Sequence, residues 1–427
     1  MDKQTKSPQQ RIIAIDLLRG FALLGILLMN IASFSMPDIA YYNPTAFGNE
    51  LNSNHLIYSL THLFVDQKIM AIFSMLFGAS VMLLTNKLEQ KEQGTFRVYF
   101  LRNFWLLIIG LIHSIFIWSG DILVIYALCS FALYFLRRIP PKWQFGLGLF
   151  IFLIPSLLNV SIQTIVPTFN DVDLQALQAF WQPTDTAVSA ELDLYRGPYS
   201  QQLLHRLSED TGTEMPYSNG QFFLDISLLT EFFLRALGMM LVGMAFYTWG
   251  IVSARRSDQF YKRLAIFSFA IGLPIVLFGL FLQYSHNWEP TYAIFIGRVP
   301  NHIATPLIAS GYIALIMLWS KRPFLQGLQK RLTAVGQTAL TNYILQSILG
   351  TFIFYGFGLG FFGHLNRLGQ MDVVLAIWIV QLLISPWWMA RFRYGPLEWL
   401  WRTLTYLQWQ PMRKKSPAKA ALLTTSD

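Results

Sequence analysis

Apolar runs of membrane-crossing length recur along this chain, separated by polar connections. A bilayer's hydrocarbon layer takes roughly 20 residues of helix to cross, and every backbone polar group inside it must be paired within the chain. Repeated runs of that length restrict the fold to an all-α, polytopic membrane helix bundle. With tolerance for tilt, about ten transmembrane helices are predicted. They fall near 12–34, 60–84, 104–119, 122–136, 145–166, 222–250, 264–284, 303–319, 338–358 and 373–390. The expected layout is an N-terminal bundle at 12–166, an acidic loop at 167–221, a C-terminal bundle at 222–390 and a basic tail at 391–427. Only 13% of the 427 residues are charged, against roughly a quarter in soluble domains.

The positions of the charges argue for the same arrangement and orient it. The net charge of +9 would suit nucleic acid, yet Lys and Arg concentrate in alternate connections. That is the pattern in which cytoplasmic loops keep the basic residues. The presumed inner side holds 25 of the 32, beginning with Lys3, Lys6 and Arg11 and ending in a tail that includes Lys415 and Lys419. The presumed outer side holds Arg196, Arg206, Arg298 and Arg367. Both termini are therefore expected in the cytoplasm, with a bacterial inner membrane as the setting and no nucleic-acid partner. The first run carries Asp16 and Arg19 and lacks a small-residue cleavage site, so it reads as an uncleaved helix and not a signal peptide. One cysteine, Cys129, excludes an internal disulfide or a cysteine metal site. The 167–221 segment, rich in Asp, Glu, Trp and Tyr, reads as a solvated extracytoplasmic loop, with a lid or polysaccharide-facing surface as the alternative. The chain beyond Gln410 is expected to be disordered, its basic residues near anionic lipid.

Ionisable groups within apolar runs are costly, and each needs a partner or a function. Asp16 and Arg19, three apart on one helical face, are either a structural pair or an inner-leaflet site for an anionic group. Glu231 and Arg235, at i and i+4, can neutralise each other. Lys68 reads as a snorkelling lysine or a binding residue. Asn30, Asn342 and Gln346 suit either interhelical hydrogen bonds or oxyanion stabilisation. His113 lies in one apolar run, with Asp121 at the turn before the next. Histidine is the side chain best matched to proton transfer near neutral pH; the bland alternatives are a histidine bonded between helices and an aspartate capping one. Two short matches are set aside. Gly358, Gly360 and Gly363 fit G-x-G-x-x-G but precede no amphipathic helix; His205 and Asp210 fit H-x4-D at a spacing common by chance; no metal or ATP motif is present.

Six segments in order carry a family resemblance: RIIAIDLLRGFALLGILLMNIASFSMP, KIMAIFSMLFGAS, GLIHSIFIWSGDILVIYAL, EFFLRALGMMLVGM, GQTALTNYILQS and RYGPLEWLWRTLTY. Together they resemble the bacterial YeiB-type inner-membrane proteins, whose C-terminal domain is of unknown function. The D-x-x-R-G opening followed by Asn30 more distantly resembles the transmembrane acyltransferases, such as heparan-alpha-glucosaminide N-acetyltransferase. That likeness implies transfer of an acyl group from acyl-CoA on the cytoplasmic side to an acceptor across the membrane, with Asp16, Arg19, Gly20 and Asn30 carried over. Those enzymes place a catalytic histidine in the loop after the first helix; Ser35–Ser53 has none here.

The resulting expectation is a membrane acyltransferase with His113 as general base, Asp121 orienting it and Asn30 stabilising the oxyanion. Asp16, Arg19, Lys68, Glu231, Arg235, Asn342 and Gln346 are the expected binding residues. Acyl-CoA is the expected co-substrate, an envelope sugar or lipid the acceptor, and no cofactor is bound permanently. The rival expectation is a transporter or lipid-linked permease, disfavoured by the lack of duplicated halves.

Overall fold

The computed structural model describes residues 13–48, 52–92, 94–208 and 218–414. Lys3, Lys6, Arg11, Glu209, Asp210, Glu214, Tyr217, Lys415 and Lys419 lie outside them. The helices are α1 (Ile13–Ser35), α2 (Ile39–Tyr42), α3 (Asn52–Phe64), α4 (Lys68–Gln90), α5 (Thr95–Phe116), α6 (Leu123–Leu136), α7 (Pro141–Ile165), α8 (Asp171–Trp181), α9 (Asp185–Arg196), α10 (Tyr199–Leu207), α11 (Asn219–Thr248), α12 (Asp258–Ser285), α13 (Val299–Ser320), α14 (Gln326–Gln337), α15 (Ala339–Phe354), α16 (Arg367–Arg391) and α17 (Pro396–Tyr406). Among the described residues there is no strand, only an isolated bridge between Phe392 and Arg413.

Among the described residues eight helical stretches are long and apolar enough to cross a membrane, and α6 and α15 are shorter apolar helices. Large apolar side chains cover their outward faces, including Ile266, Phe278 and Phe281 on α12 and Leu375, Ile379 and Leu383 on α16. Exposed apolar surface on that scale belongs against lipid. The chain is an all-α membrane helix bundle.

Inside, helices meet at glycines. A side chain at Gly78 of α4 would overlap the Met240 carbonyl of α11, and one at Gly243 of α11 would overlap the Met75 carbonyl of α4. Small residues allow such backbone approach where no hydrophobic force drives helices together. The same device locks Gly20 of α1 against Leu332 of α14, and Gly336 against the Asp16 carbonyl. The glycine of D-x-x-R-G is thus a packing residue. One core cluster draws on both sequence halves, from Leu18 and Ile72 to Met239 and Tyr343.

Two expectations are corrected by the fold. The span at 60–84 is a broken helix: α3 ends at Phe64, Gln67 turns the chain at φ 62, and α4 starts at Lys68. The segment read as a solvated loop folds into α8, α9 and α10, each with buried contacts. Trp181 donates its indole N–H to the Trp288 carbonyl (2.8 Å), Tyr199 its hydroxyl to the Phe116 carbonyl (2.8 Å), and Arg206 its Nε–H to the Ile115 carbonyl (2.8 Å). These helices cap one end of the bundle. The arginines assigned to outer loops mostly fasten it: Arg196 donates to the Phe362 carbonyl and Arg367 to the Ala40 carbonyl. Ahead of the part expected to be disordered, the 391–427 segment carries helix α17, packed on α5 and α15.

Candidate functional site

His113 sits in the last turn of α5 and Asp121 just before α6, and the hairpin folds them together. His113 Nδ1 lies 2.7 Å from Asp121 Oδ1, with both side chains 1% exposed. Asp121 Oδ2 also accepts the Val124 N–H at 2.8 Å, so one carboxylate holds the histidine and caps α6. The other ring nitrogen, Nε2, is buried without a partner. Tyr343 of α15 packs against the imidazole, ring centroids 5.3 Å apart, and its hydroxyl oxygen accepts the Ile122 N–H at 3.2 Å.

Tyr343 also closes one end of a cavity of about 210 Å³ between α1, α4, α5, α6, α15 and α17. Its walls are apolar, with Phe73, Leu76, Phe77 and Leu106 among them. Toward the end where α1 begins, the lining turns ionic. Arg19 donates to Asp16 (2.9 Å) and to Ser80 Oγ (3.2 Å). The Arg102 guanidinium stacks 3.6 Å over the Trp401 ring, whose indole N–H returns a hydrogen bond to the Arg102 carbonyl at 2.7 Å. Glu398 accepts from the backbone N–H groups of Leu340 (2.7 Å) and Thr341 (3.2 Å) and from the Thr341 hydroxyl (2.6 Å), capping α15. Burial raises its carboxyl above the ordinary value, and these donors oppose the shift. Arg102, Trp401, Glu398 and Tyr343 had not been singled out. The clue was one acid and one arginine in the otherwise apolar PLEWLWR run, which pattern alone reads as a tail.

The other expected binding residues do not join this cavity. Lys68 does not snorkel: it is fully buried and donates to the His62 carbonyl (2.5 Å) and to Asn301 Oδ1. Glu231 and Arg235 pair at 3.3 Å, and Arg298 Nη2 stands 2.5 Å from the second Glu231 oxygen, without hydrogen-bond geometry. Glu231, Arg235 and Arg298 line a separate polar chamber beneath α2 and α8, and Lys68 bonds its wall residue Asn301. Asn342 donates to Thr338 Oγ1 (2.7 Å) and Ser385 Oγ (3.0 Å), and Gln346 to the Leu23 carbonyl (3.2 Å) and Gln381 Oε1 (3.0 Å). Their amide donors tie α1, α15 and α16 together. Among the described residues, no hydrogen bond joins Asn30 to His113 or Asp121. No cluster that could hold a metal ion occurs among them either.

Comparison with known proteins places the chain among relatives that share its whole length. Residues 246–408 match the family described as a protein of unknown function, DUF418. The chain is 29% identical over 401 residues to the uncharacterised protein YeiB of Escherichia coli K12, covering 93% of this chain and 96% of that one. It is 29% identical over 416 residues to the uncharacterised protein YxaH of Bacillus subtilis 168, covering 95% and 97%. An uncharacterised 39.9 kDa protein of Bacillus acidopullulyticus is 24% identical over 412 residues, covering 96% and 98%. No solved structure matches. With end-to-end relatives and a matching C-terminal module, the chain is similar to the YeiB-type proteins over nearly its whole length and to the DUF418 family over residues 246–408.

Proposed function

We propose that this protein is a membrane acyltransferase that draws an acyl group from acyl-CoA at the basic, cytoplasmic end of the bundle and passes it to an acceptor toward the capped end. One observation carries the reading: a cavity with apolar walls has arginines at one end and closes at the other on Tyr343, which packs against the buried His113–Asp121 pair. An acyl chain suits the walls, and the anionic phosphates of its carrier suit Arg19 and Arg102.

The chemistry follows from the atoms present. With its Nδ1–H held by Asp121, His113 presents Nε2 as a base. It takes the proton of an acceptor hydroxyl or amine, whose oxygen or nitrogen bonds to the thioester carbonyl carbon. The C–S bond then breaks, and the leaving thiolate recovers the proton from Nε2. The developing oxyanion is assigned to the Tyr343 hydroxyl, whose oxygen accepts from Ile122, with Asn30 as the alternative donor. Replacing His113 with Ala in correctly inserted protein should abolish transfer of labelled acetyl from acetyl-CoA to a sugar or lipid of the bacterial envelope. Unchanged transfer would overturn the mechanism.

A transport reading has its own observation. The break between α3 and α4 meets a second one, the π-helical turn Tyr292–Ile296 before α13, through the contact of Lys68 with Asn301. Discontinuous helices meeting at a polar site are a mark of transporters. Proton-coupled uptake into vesicles, without acetyl-CoA binding, would favour it.

A further inference from the structure

The polar chamber and its immediate surroundings carry more positive charge than their carboxylates neutralise. Arg235 and Arg298 line it, Arg367 lines the adjoining space and Lys68 bonds the wall residue Asn301, whereas the carboxylates among the lining residues are Asp66 and Glu231, with the neutral-capable His62 3.6 Å from Asp66. Asp66 is already satisfied by the Tyr41 hydroxyl (2.9 Å) and the Asn301 amide (2.9 Å). Glu231 is shared between two guanidinium groups. Lys68 reaches no carboxylate among the described residues. Uncompensated charge at this depth is costly unless an anion completes the set.

Three further features point the same way. Gln67 and Arg298 line the chamber and are the residues from which α4 and α13 start, so two helix N-termini bring their partial positive charge to it. Arg235 Nε is buried with no partner, a donor left for a ligand. The Gln283 amide, whose Nε2–H reaches the Ala293 carbonyl only at 3.5 Å, also lines the chamber. The space measures about 40 Å³, and an adjoining one of about 40 Å³ shares Tyr41, Tyr58, His62 and Asp66. That is room for a small anionic group and not for a saccharide chain.

We infer that this chamber is a binding site for a small oxyanion, a phosphate or carboxylate group, held by the Arg235 Nε–H and the N-termini of α4 and α13 beneath the α8 cap. The site is separate from the acyl cavity and does not rest on acyl transfer. It is tested on full-length protein in nanodiscs of neutral lipid, by thermal unfolding during titration with inorganic phosphate, with acetate, or with added phosphatidylglycerol. Saturable stabilisation is expected, and Arg298→Gln should weaken it at least about tenfold. Since that change also removes one of the two guanidinium partners of Glu231, Gln283→Leu is the second variant. It gives up only the 3.5 Å bond from Gln283 Nε2 to the Ala293 carbonyl and leaves both arginines in place, so the protein folds and the titration weakens. Stabilisation by free phosphate or acetate assigns a soluble anion; stabilisation by phosphatidylglycerol alone, lost in both variants, assigns a lipid headgroup. Either result upholds the site. No saturable effect from any of the three, or effects unchanged in both variants, would overturn it.

Discussion

Asp121 offers the sharpest test of the proposed chemistry, because two substitutions there separate holding the fold from setting the proton. Asp121→Ala removes the acceptor for His113 Nδ1 and for the Val124 N–H, both buried. Hydrogen bonds to a charged group are worth about 1.5–3 kcal/mol each, and an abandoned buried donor costs a comparable amount. A loss of about 3–5 kcal/mol is expected. Asp121→Asn keeps one oxygen, and asparagine caps a helix as well as aspartate does, so that oxygen stays on Val124. Its NH₂ then faces His113 and turns Nδ1 into an acceptor, which moves the ring proton to Nε2. Stability should fall by only about 1–2 kcal/mol. Transfer should collapse, since the needed lone pair is blocked; the equivalent change in a serine-protease triad costs about 10⁴ in rate. Thermal unfolding, ¹⁵N spectra of the histidine ring assigned against His113→Gln, and acetyl transfer read the three effects. Asp121→Asn transferring within about threefold of the parent, or keeping its proton on Nδ1, would refute the reasoning.

Three other outcomes follow from the geometry. Trp401→Ala and Arg102→Gln should each weaken acetyl-CoA binding about tenfold by calorimetry, with Trp401→Phe retaining most of it, because a smaller ring still stacks on the guanidinium. Gly243→Leu should force α4 from α11 at the Met75 carbonyl and cost several times the roughly 1–3 kcal/mol of ordinary overpacking, whereas Gly146→Leu, with nothing within 4 Å, should be neutral in the same unfolding assay. In the cap, burial and the neighbouring Asp38 push the Glu191 carboxyl from 4.5 up to about 7. The folded cap keeps a proton there that the unfolded segment releases, so its stability should fall as pH rises from about 4.5 to about 7 and then level off. Limited proteolysis of α9 across that range should show the trend, and Glu191→Gln should flatten it.

Much of the architecture was legible in the order of residues. A helix crossing lipid needs a run of apolar side chains whatever its neighbours are, so run lengths determined the all-α class, and most spans fell where expected. The His113–Asp121 pairing was legible for a similar reason: a short hairpin brings its two ends together. Local rules failed where partners are remote. Nothing in the sequence around Asn301 says that it meets Lys68, 233 positions away. Trp401 lies 299 positions from the arginine it covers, so a basic tail concealed one wall of the cavity. The acidic segment looked solvated because few of its residues are apolar, yet a handful of anchors, Trp181, Tyr199 and Arg206, suffice to dock it. Asn342 and Gln346 read equally well as glue or as catalyst until their amides were seen bonded to neighbouring helices. The sequence alone determined which segments enter the membrane, because lipid acts on each helix separately. Only the tertiary structure decided which buried charges share a cavity, because that depends on helix rotation and long-range packing that no local pattern records.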